Sequence, residues 1–130
     1  MASWGAVDVF ASYLAGPAWR EGQTTNAEIK RWAKSLDLWW RRAALVSTVP
    51  LNNKARGGSG DAKRTLMICE MLIDDHEEMV VKAMSWALRE LAKREPSVAQ
   101  RFVTQHKNCL ASRVLREVDN KLRTGKKNPK

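Results

Sequence analysis

Apolar residues recur at intervals of three and four along almost the whole chain, without the strong alternation that marks a half-buried strand. This period is that of an amphipathic α-helix, so the sequence predicts an all-α fold. Capping residues, prolines and glycines divide the pattern into about seven helices, at roughly 3–14, 25–36, 38–49, 61–73, 74–94, 96–106 and 111–123. Such helices with short connections pack as antiparallel pairs, and stacked pairs form an α-solenoid. A compact helical bundle is the alternative.

Two breaks and one loop are predicted between these helices. We expect Gly16-Pro17 to end the first helix and Pro50 to stop the third, because proline disrupts the helix that precedes it. Residues 52–60 contain three glycines and are expected to form a flexible basic loop. The GxxxxGK[ST] spacing of a phosphate-binding loop is absent there. The cations of this loop are Lys54 and Arg56.

The chain has 130 residues, which is enough for one domain with a buried core. We predict a helical-repeat domain over residues 1–125 and a basic tail over residues 126–130. Lysine and arginine number 23 against 14 acidic residues, a formal net charge of +9. This excess favours a polyanionic partner such as nucleic acid, whose binding would be sensitive to salt. A solvated surface with a basic bias explains the same charge equally well.

The sequence gives no support for a disulfide framework, a zinc site or a membrane span. Cys69 and Cys109 form no CxxC motif and have no histidine at a ligand spacing. No apolar run approaches the roughly 20 residues that cross a bilayer, and the N-terminus lacks the pattern of a signal peptide. We therefore expect a soluble intracellular protein with reduced thiols and no metal.

One face of the predicted fifth helix combines an aromatic residue with cations. Spacings of four, three and four bring together Lys82, Trp86, Arg89 and Lys93. One interpretation is an aromatic surface for a base or sugar, with cations reaching phosphates on either side. The other is a tryptophan at the edge of the core, covered by the stems of Lys82 and Arg89. This helix alone favours the second interpretation.

Two further segments place charges among apolar residues. Asp8 lies one helical turn after Trp4, and Arg41 and Arg42 lie between two tryptophans and an apolar run. Asp8 is either a surface carboxylate paired with a lysine or a carboxylate in an aromatic-walled cleft, where it could stabilise a developing cation. One of these two arginines is expected to reach solvent, a carboxylate or a phosphate. A guanidinium suits phosphate because it can contact two oxygens at once.

Three segments in this order resemble the AlkD-type DNA alkylation repair glycosylases, which are built from HEAT-like helical repeats. They are residues 3–8 (SWGAVD), 38–44 (LWWRRAA) and 82–90 (KAMSWALRE), of which the last is the most specific. The resemblance implies that Asp8 is the catalytic carboxylate. It also implies that Trp4 and Trp86 contact the lesion and that Arg42 contacts a DNA phosphate.

The resemblance implies hydrolysis of the glycosidic bond of cationic alkylpurines, such as 3-methyladenine and 7-methylguanine, in double-stranded DNA. No metal or cofactor is expected. Lys82, Arg89, Lys93 and the cations of the 52–60 loop would help Arg42 to hold the DNA backbone. The family points to a bacterial cytoplasm, near the nucleoid, as the site of action.

The resemblance covers nearly the whole chain but only the C-terminal half of a family member, without the N-terminal repeats. The chain could therefore associate with itself through an exposed N-terminal edge. Two alternatives to a glycosylase remain: a helical module that binds DNA without catalysis, and a scaffold for protein interactions. An enzyme requires the Asp8 carboxylate, whereas a DNA-binding module tolerates its loss.

Overall fold

The computed structural model describes residues 3–129, and all regular structure within them is helical, as the sequence predicts. The α-helices are α1 (Trp4–Phe10), α2 (Gly16–Arg20), α3 (Asn26–Ala33), α4 (Leu38–Val46), α5 (Val49–Asn52), α6 (Ala62–Met71), α7 (Glu78–Arg94), α8 (Pro96–Gln105) and α9 (Ser112–Thr124). A π-helical turn (Ala11–Ala15) joins α1 to α2, and a 3-10 turn (Lys54–Arg56) follows α5. No helix in this part of the chain is long and apolar enough to cross a membrane.

The first helix does not end at Gly16-Pro17, so that prediction is wrong. The helical path runs from Trp4 to Arg20 through the π-helical turn, in which the Gly16 N–H bonds to the Ala11 carbonyl five residues back. Pro17 stands in the first turn of α2. Proline has no backbone N–H to donate, but this costs little at the start of α2. The π-helical turn before it has already replaced the regular hydrogen bonds to the residue four positions back.

The helix starts follow the predicted caps, with one exception. Four side chains accept a hydrogen bond from a backbone N–H in the following turn: Ser3, Thr25, Asp37 and Asp61. The exception is α7, which begins at Glu78 with Glu77 as its cap rather than at 74 or 75. Asp75 lies in the turn before the helix, where one carboxylate oxygen accepts a bond from the Glu77 N–H at 3.0 Å and the other accepts a 2.7 Å bond from Nε of Arg41.

The third predicted helix is divided in two, and the loop after it is not flexible in the way the glycines suggest. α4 ends at Val46, and Pro50 lies in the first turn of α5. The guanidinium groups of Arg20 and Arg94 then hold the 50–58 backbone at four carbonyl oxygens, those of Pro50, Asn52, Arg56 and Gly58, at 2.7–3.1 Å. These contacts come from α2 and α7, far away in the sequence, so local composition does not reveal them.

The helices form two layers around an apolar core. α1, α4, α7 and α9 contact one another in that order and make one layer, while α3, α6 and α8 pack against it. α7 is the central element, with ten buried residues. This arrangement is a short α-solenoid. Because α1, α4, α7 and α9 are neighbours, side chains from four separate segments can meet on one surface.

We expect Gly16→Ala to destabilise the protein where Gly5→Ala does not. A Cβ at Gly16 would lie 2.7 Å from Cγ of Pro50 and 2.8 Å from the Ser47 carbonyl oxygen. Such overpacking lowers the free energy of unfolding by about 1–3 kcal/mol. A Cβ at Gly5, in α1, meets nothing within 4 Å, so alanine there should stabilise by about 0.5–1 kcal/mol. Urea denaturation of both variants measures this, and equal shifts would contradict the close approach at Gly16.

Candidate functional site

An ion pair between Asp8 of α1 and Arg42 of α4 lies at the centre of the site. Nε of Arg42 donates to Oδ1 of Asp8, and Nη2 donates to Oδ2, each over 2.9 Å. Nη1 donates to the carbonyl oxygen of Met79 in α7 over 2.6 Å. A guanidinium that is only 6% exposed needs such partners, because an unpaired buried charge is costly. The sequence predicts that one of Arg41 and Arg42 reaches solvent, a carboxylate or a phosphate. In the structure both reach a carboxylate, Arg42 that of Asp8 and Arg41 that of Asp75.

The ion pair borders an open cleft of about 450 Å³. The lining residues come from α1, α4 and α7 and are Trp4, Asp8, Arg42, Met79, Lys82 and Trp86. Trp4 is 60% exposed, which is high for a tryptophan, and Trp86 is partly buried. The structure thus brings together five of the residues that the sequence identifies as candidates. Asp8 stands in an aromatic-walled cleft, and its partner is an arginine rather than a lysine.

Lys82 adds a positive charge to this cleft. Its Nζ lies 3.3 Å from Oε1 of Glu78 one turn earlier on α7, and both side chains are solvent-exposed. Exposed pairs of this kind contribute little to stability and exchange readily for another partner. Lys82 is therefore available to an anionic ligand.

A second, smaller hollow of about 250 Å³ adjoins the cleft between α7 and α9. It shares Arg42, Lys82 and Trp86 with the cleft, and its other lining residues are Arg89, Arg113, Glu117 and Lys127. The sequence identified Arg89 but missed the last three. Arg113 and Glu117 stand four apart on α9. Because most such pairs are ordinary surface ion pairs, their spacing carries no functional signal.

A buried carboxylate orients two of the arginines of this hollow. Glu117 is 2% exposed and accepts hydrogen bonds from Oγ of Ser85 at 2.6 Å and from Nε of Arg113 at 3.2 Å. Burial alone would raise the pKa of Glu117, but the bond from Ser85 and the charge and bond of Arg113 outweigh it and hold the pKa below its ordinary value. Ser85 in turn accepts a 3.0 Å bond from Nε of Arg89. Burial, helped by the charge of Arg113, lowers the pKa of Arg89.

The remaining predicted cations lie outside the cleft. Lys54 and Lys93 line a separate hollow of about 350 Å³ beside the 3-10 turn, where Nζ of Lys93 is 3.0 Å from a Glu90 carboxylate oxygen. Arg56 lies over the ring of Tyr13, with its Cζ 4.5 Å from the ring centroid. The proposed contacts of these three cations with the DNA backbone stay predictions.

The N-terminal edge exposes apolar side chains. Val9, Tyr13 and Leu14 are 57–63% exposed on the first helical segment. Next to them Phe10 packs on Trp32 and Trp40, with ring centroids 5.6 and 6.1 Å apart. Self-association through this edge stays a prediction.

Nothing in the described part of the chain forms a cluster of three or more histidine, cysteine or acidic residues that could hold a metal ion. Cys69 is fully buried, and this burial raises the pKa of its thiol, which therefore stays protonated. The chemistry available at the cleft is that of a carboxylate, an arginine, a lysine and two indole rings.

Fold and site together define a small all-α helical-repeat protein with an acid–arginine pair in an open aromatic cleft. The sequence model of the family described as DNA alkylation repair enzyme matches residues 1–122. The chain therefore belongs to the DNA alkylation repair enzyme family, as the three segments indicated. A comparison with curated proteins finds none that matches the chain.

We expect the stability conferred by Glu117 to disappear in acid. A carboxyl whose folded-state pKa lies below its unfolded value stabilises the fold while ionised, above about pH 4.3, and this stability is lost as the pH falls through the folded value. At pH 7, Glu117→Gln should lower the free energy of unfolding by about 1–3 kcal/mol through its weakened hydrogen bonds. Urea denaturation between pH 7 and 3.5 should show the gap from wild type narrowing below about pH 4.3.

Glu70→Gln is the matched control, because Glu70 is exposed on α6. That variant should follow wild type at every pH. A Glu117→Gln gap that stays constant down to pH 3.5 would contradict the contribution of the ionised Glu117 carboxylate.

Proposed function

We propose that this protein is a DNA glycosylase that hydrolyses the N-glycosidic bond of cationic alkylated purines, such as 3-methyladenine and 7-methylguanine, in double-stranded DNA. The observation that carries the proposal is the Asp8 carboxylate, held by Arg42 in an open cleft lined by Trp4 and Trp86. Membership of the DNA alkylation repair enzyme family supports it.

Alkylation prepares the substrate for cleavage. A purine alkylated at N3 or N7 carries a positive charge, so the base leaves as a neutral molecule when the bond from C1′ to the base nitrogen breaks and its electron pair goes to the base. Positive charge then develops on the deoxyribose, as in glycoside hydrolysis. Water adds at C1′ and releases a proton to solvent. The enzyme has to stabilise the sugar cation, position the water and hold the DNA.

Asp8 is suited to the first two tasks. Its two oxygens offer about four lone-pair sites, of which Arg42 uses one on each oxygen. The remaining sites can accept a water proton and face the developing sugar cation, whose charge the carboxylate stabilises more strongly in a cleft than in bulk water. Because Arg42 contacts both oxygens and Met79 as well, we assign it the positioning of Asp8.

Trp4 and Trp86 would hold the charged nucleotide. An indole face attracts a cation by about 0.5–2 kcal/mol, and this attraction is lost once the base has become neutral. The cleft is open to solvent, which suits a nucleotide held at the surface of the duplex better than a base drawn into a closed pocket.

Cations around the cleft would bind the DNA backbone. Lys82 lies in the cleft and Arg89 in the adjoining hollow, within reach of phosphates on either side of a bound nucleotide. Lys54 and Arg56 on the 3-10 turn and Lys93 near the end of α7 would add further positive charge for a longer stretch of DNA. The formal net charge of +9 favours the same ligand.

A DNA-binding module without catalysis is the second candidate, and the ion pair itself favours it. A carboxylate with both oxygens bonded to an arginine has the geometry of a structural ion pair. Such a protein would bind DNA by the same basic surface. It would tolerate replacement of Asp8 by asparagine, which also removes a charge that repels phosphate.

Asp8→Asn distinguishes the two candidates. We expect wild type to release 7-methylguanine and 3-methyladenine from methylated duplex DNA under single-turnover conditions. The variant should release them at least about 100-fold more slowly, because the sugar cation loses its counter-charge. Binding to undamaged duplex, measured by fluorescence anisotropy, should be unchanged or slightly tighter.

Asp119→Asn is the matched control, since Asp119 is half exposed on α9, where it pairs with Arg123. It should keep the wild-type rate. A folded wild-type protein that binds DNA but releases no base would reject the glycosylase and leave the binding module.

Arg42→Gln tests whether Arg42 positions Asp8 or contacts a phosphate, the role that the resemblance implies. If Arg42 positions Asp8, the excision rate at saturating protein should fall about 100-fold, as expected when a catalytic group is misplaced. The slope of log K against log salt for undamaged DNA should then stay unchanged. A phosphate contact would instead lower that slope by about 0.9. If circular dichroism shows that Arg42→Gln does not fold, the excision rate is measured with Arg42→Lys instead. Lysine keeps the positive charge but cannot bond to both oxygens of Asp8 as arginine does.

A further inference from the structure

We propose that the hollow between α7 and α9 is a second anion site, in which Arg89, Arg113 and Lys127 hold a phosphate of the DNA backbone. The position of that phosphate relative to the lesion rests on the proposed function, whereas the site itself does not. Arg113 and Lys127 come from the C-terminal helix and the tail after it, and nothing in the excision chemistry requires them.

Two of the three arginines that line this hollow, Arg89 and Arg113, are held by one nitrogen each. Nε of Arg89 bonds to Ser85, and Nε of Arg113 bonds to Glu117. Within residues 3–129 the structure gives no hydrogen-bond partner to the terminal nitrogens, Nη1 and Nη2, of either guanidinium. An arginine fixed at Nε with its two terminal nitrogens unoccupied is prepared for the two-point contact that phosphate oxygens accept.

The charge of the hollow is positive. Its lining contains five cations, Arg42, Lys82, Arg89, Arg113 and Lys127, and one carboxylate, Glu117. Asp8 neutralises Arg42, and Glu78 lies 3.3 Å from Lys82. Three cations therefore stand against the one carboxylate. Glu117 is 2% exposed and is engaged by Ser85 and Arg113, so it orients Arg113 directly and Arg89 through Ser85 while its own charge is largely shielded from a bound anion. A concave surface lined mainly by one sign of charge concentrates its field on whatever enters it.

The shape of the hollow and its place in the molecule favour a phosphate on a nucleic acid strand. The hollow is small, about 250 Å³, and it shares Arg42, Lys82 and Trp86 with the cleft. A strand whose nucleotide contacts Trp86 therefore passes directly over it. Successive nucleotides rise by about 3.4 Å along the duplex axis, so the phosphate in the hollow should belong to a nucleotide within one or two of the lesion.

The first test is the salt dependence of binding to an undamaged duplex of about 20 base pairs. Each phosphate contact contributes about 0.9 to the slope of log K against log salt. Because the three cations share one phosphate, we expect Arg113→Gln and Lys127→Gln each to lower the slope measurably, by up to about that amount. Arg116→Gln is the matched control, because Arg116 is exposed on the same helix and does not line the hollow. It should change the slope far less.

Lys127→Gln keeps the test decisive if Arg113→Gln unfolds, because the Lys127 side chain takes no part in the bonds that hold Glu117. Equal slopes for Lys127→Gln, Arg116→Gln and wild type would overturn the site. Equal losses in the variants of the hollow and in the control would also overturn it, since they would show a diffuse effect of net charge.

The second test locates the phosphate. A duplex carrying a tetrahydrofuran abasic analogue is synthesised with one neutral methylphosphonate at successive positions on either side of it. At one position within two nucleotides of the analogue, neutralisation should weaken binding by wild type but not by Lys127→Gln. No such position, with the salt effect intact, would overturn the placement over the cleft but not the anion site. A lowered salt slope without base release by wild type would reject the glycosylase and keep the site.

Discussion

The guanidinium of Arg42 ties three helices together, and the surface of the molecule is organised around it. It bonds to Asp8 of α1 and to the Met79 carbonyl of α7 while itself standing on α4. These helices are successive members of one layer, so a single buried charge sets the position of each relative to the others. Burying such a charge is costly unless every partner is in place. The same bonds that hold the layer together therefore also hold the Asp8 carboxylate at the edge of the cleft.

The helical content was predictable because it depends on local signals, whereas the breaks in it depend on distant ones. Thr25, Asp37 and Asp61 cap helices as their residue types and positions suggest. Pro17 does not end its helix, because a π-helical turn absorbs the misfit. The 52–60 loop is held by Arg20 and Arg94, which lie more than 30 residues from several of their acceptors. The glycine content of a segment indicates how flexible its backbone is in isolation, but it does not reveal contacts with distant residues that hold the backbone in place.

Individual residues of the site could be identified from the sequence, but not their partners. Asp8 and Trp4 share a helix face, and Trp86 stands in a basic stripe, so each is unusual by itself. Their meeting in one cleft was suggested only by the family resemblance. The bond between Asp8 and Arg42 joins residues 34 positions apart. Helical periodicity shows which residues share a face of one helix, but not which residues of two different helices meet. Arg113 and Lys127 were missed because a basic residue on a terminal helix or tail is ordinary. Only the packing of α9 on α7 brings their side chains to the same hollow.

The π-helical turn at Ala11–Ala15 lies between the segment that carries Trp4 and Asp8 and the segment that carries Pro17. An α-helix advances about 100° per residue, and a π-helical turn holds one residue more than an α-helical turn. Because either kind of turn completes about one revolution, the additional residue hardly changes the direction in which the upstream helix face points. A residue can therefore be gained or lost at this turn while Asp8 still faces α4. The first helical segment can vary in length here without misaligning the cleft.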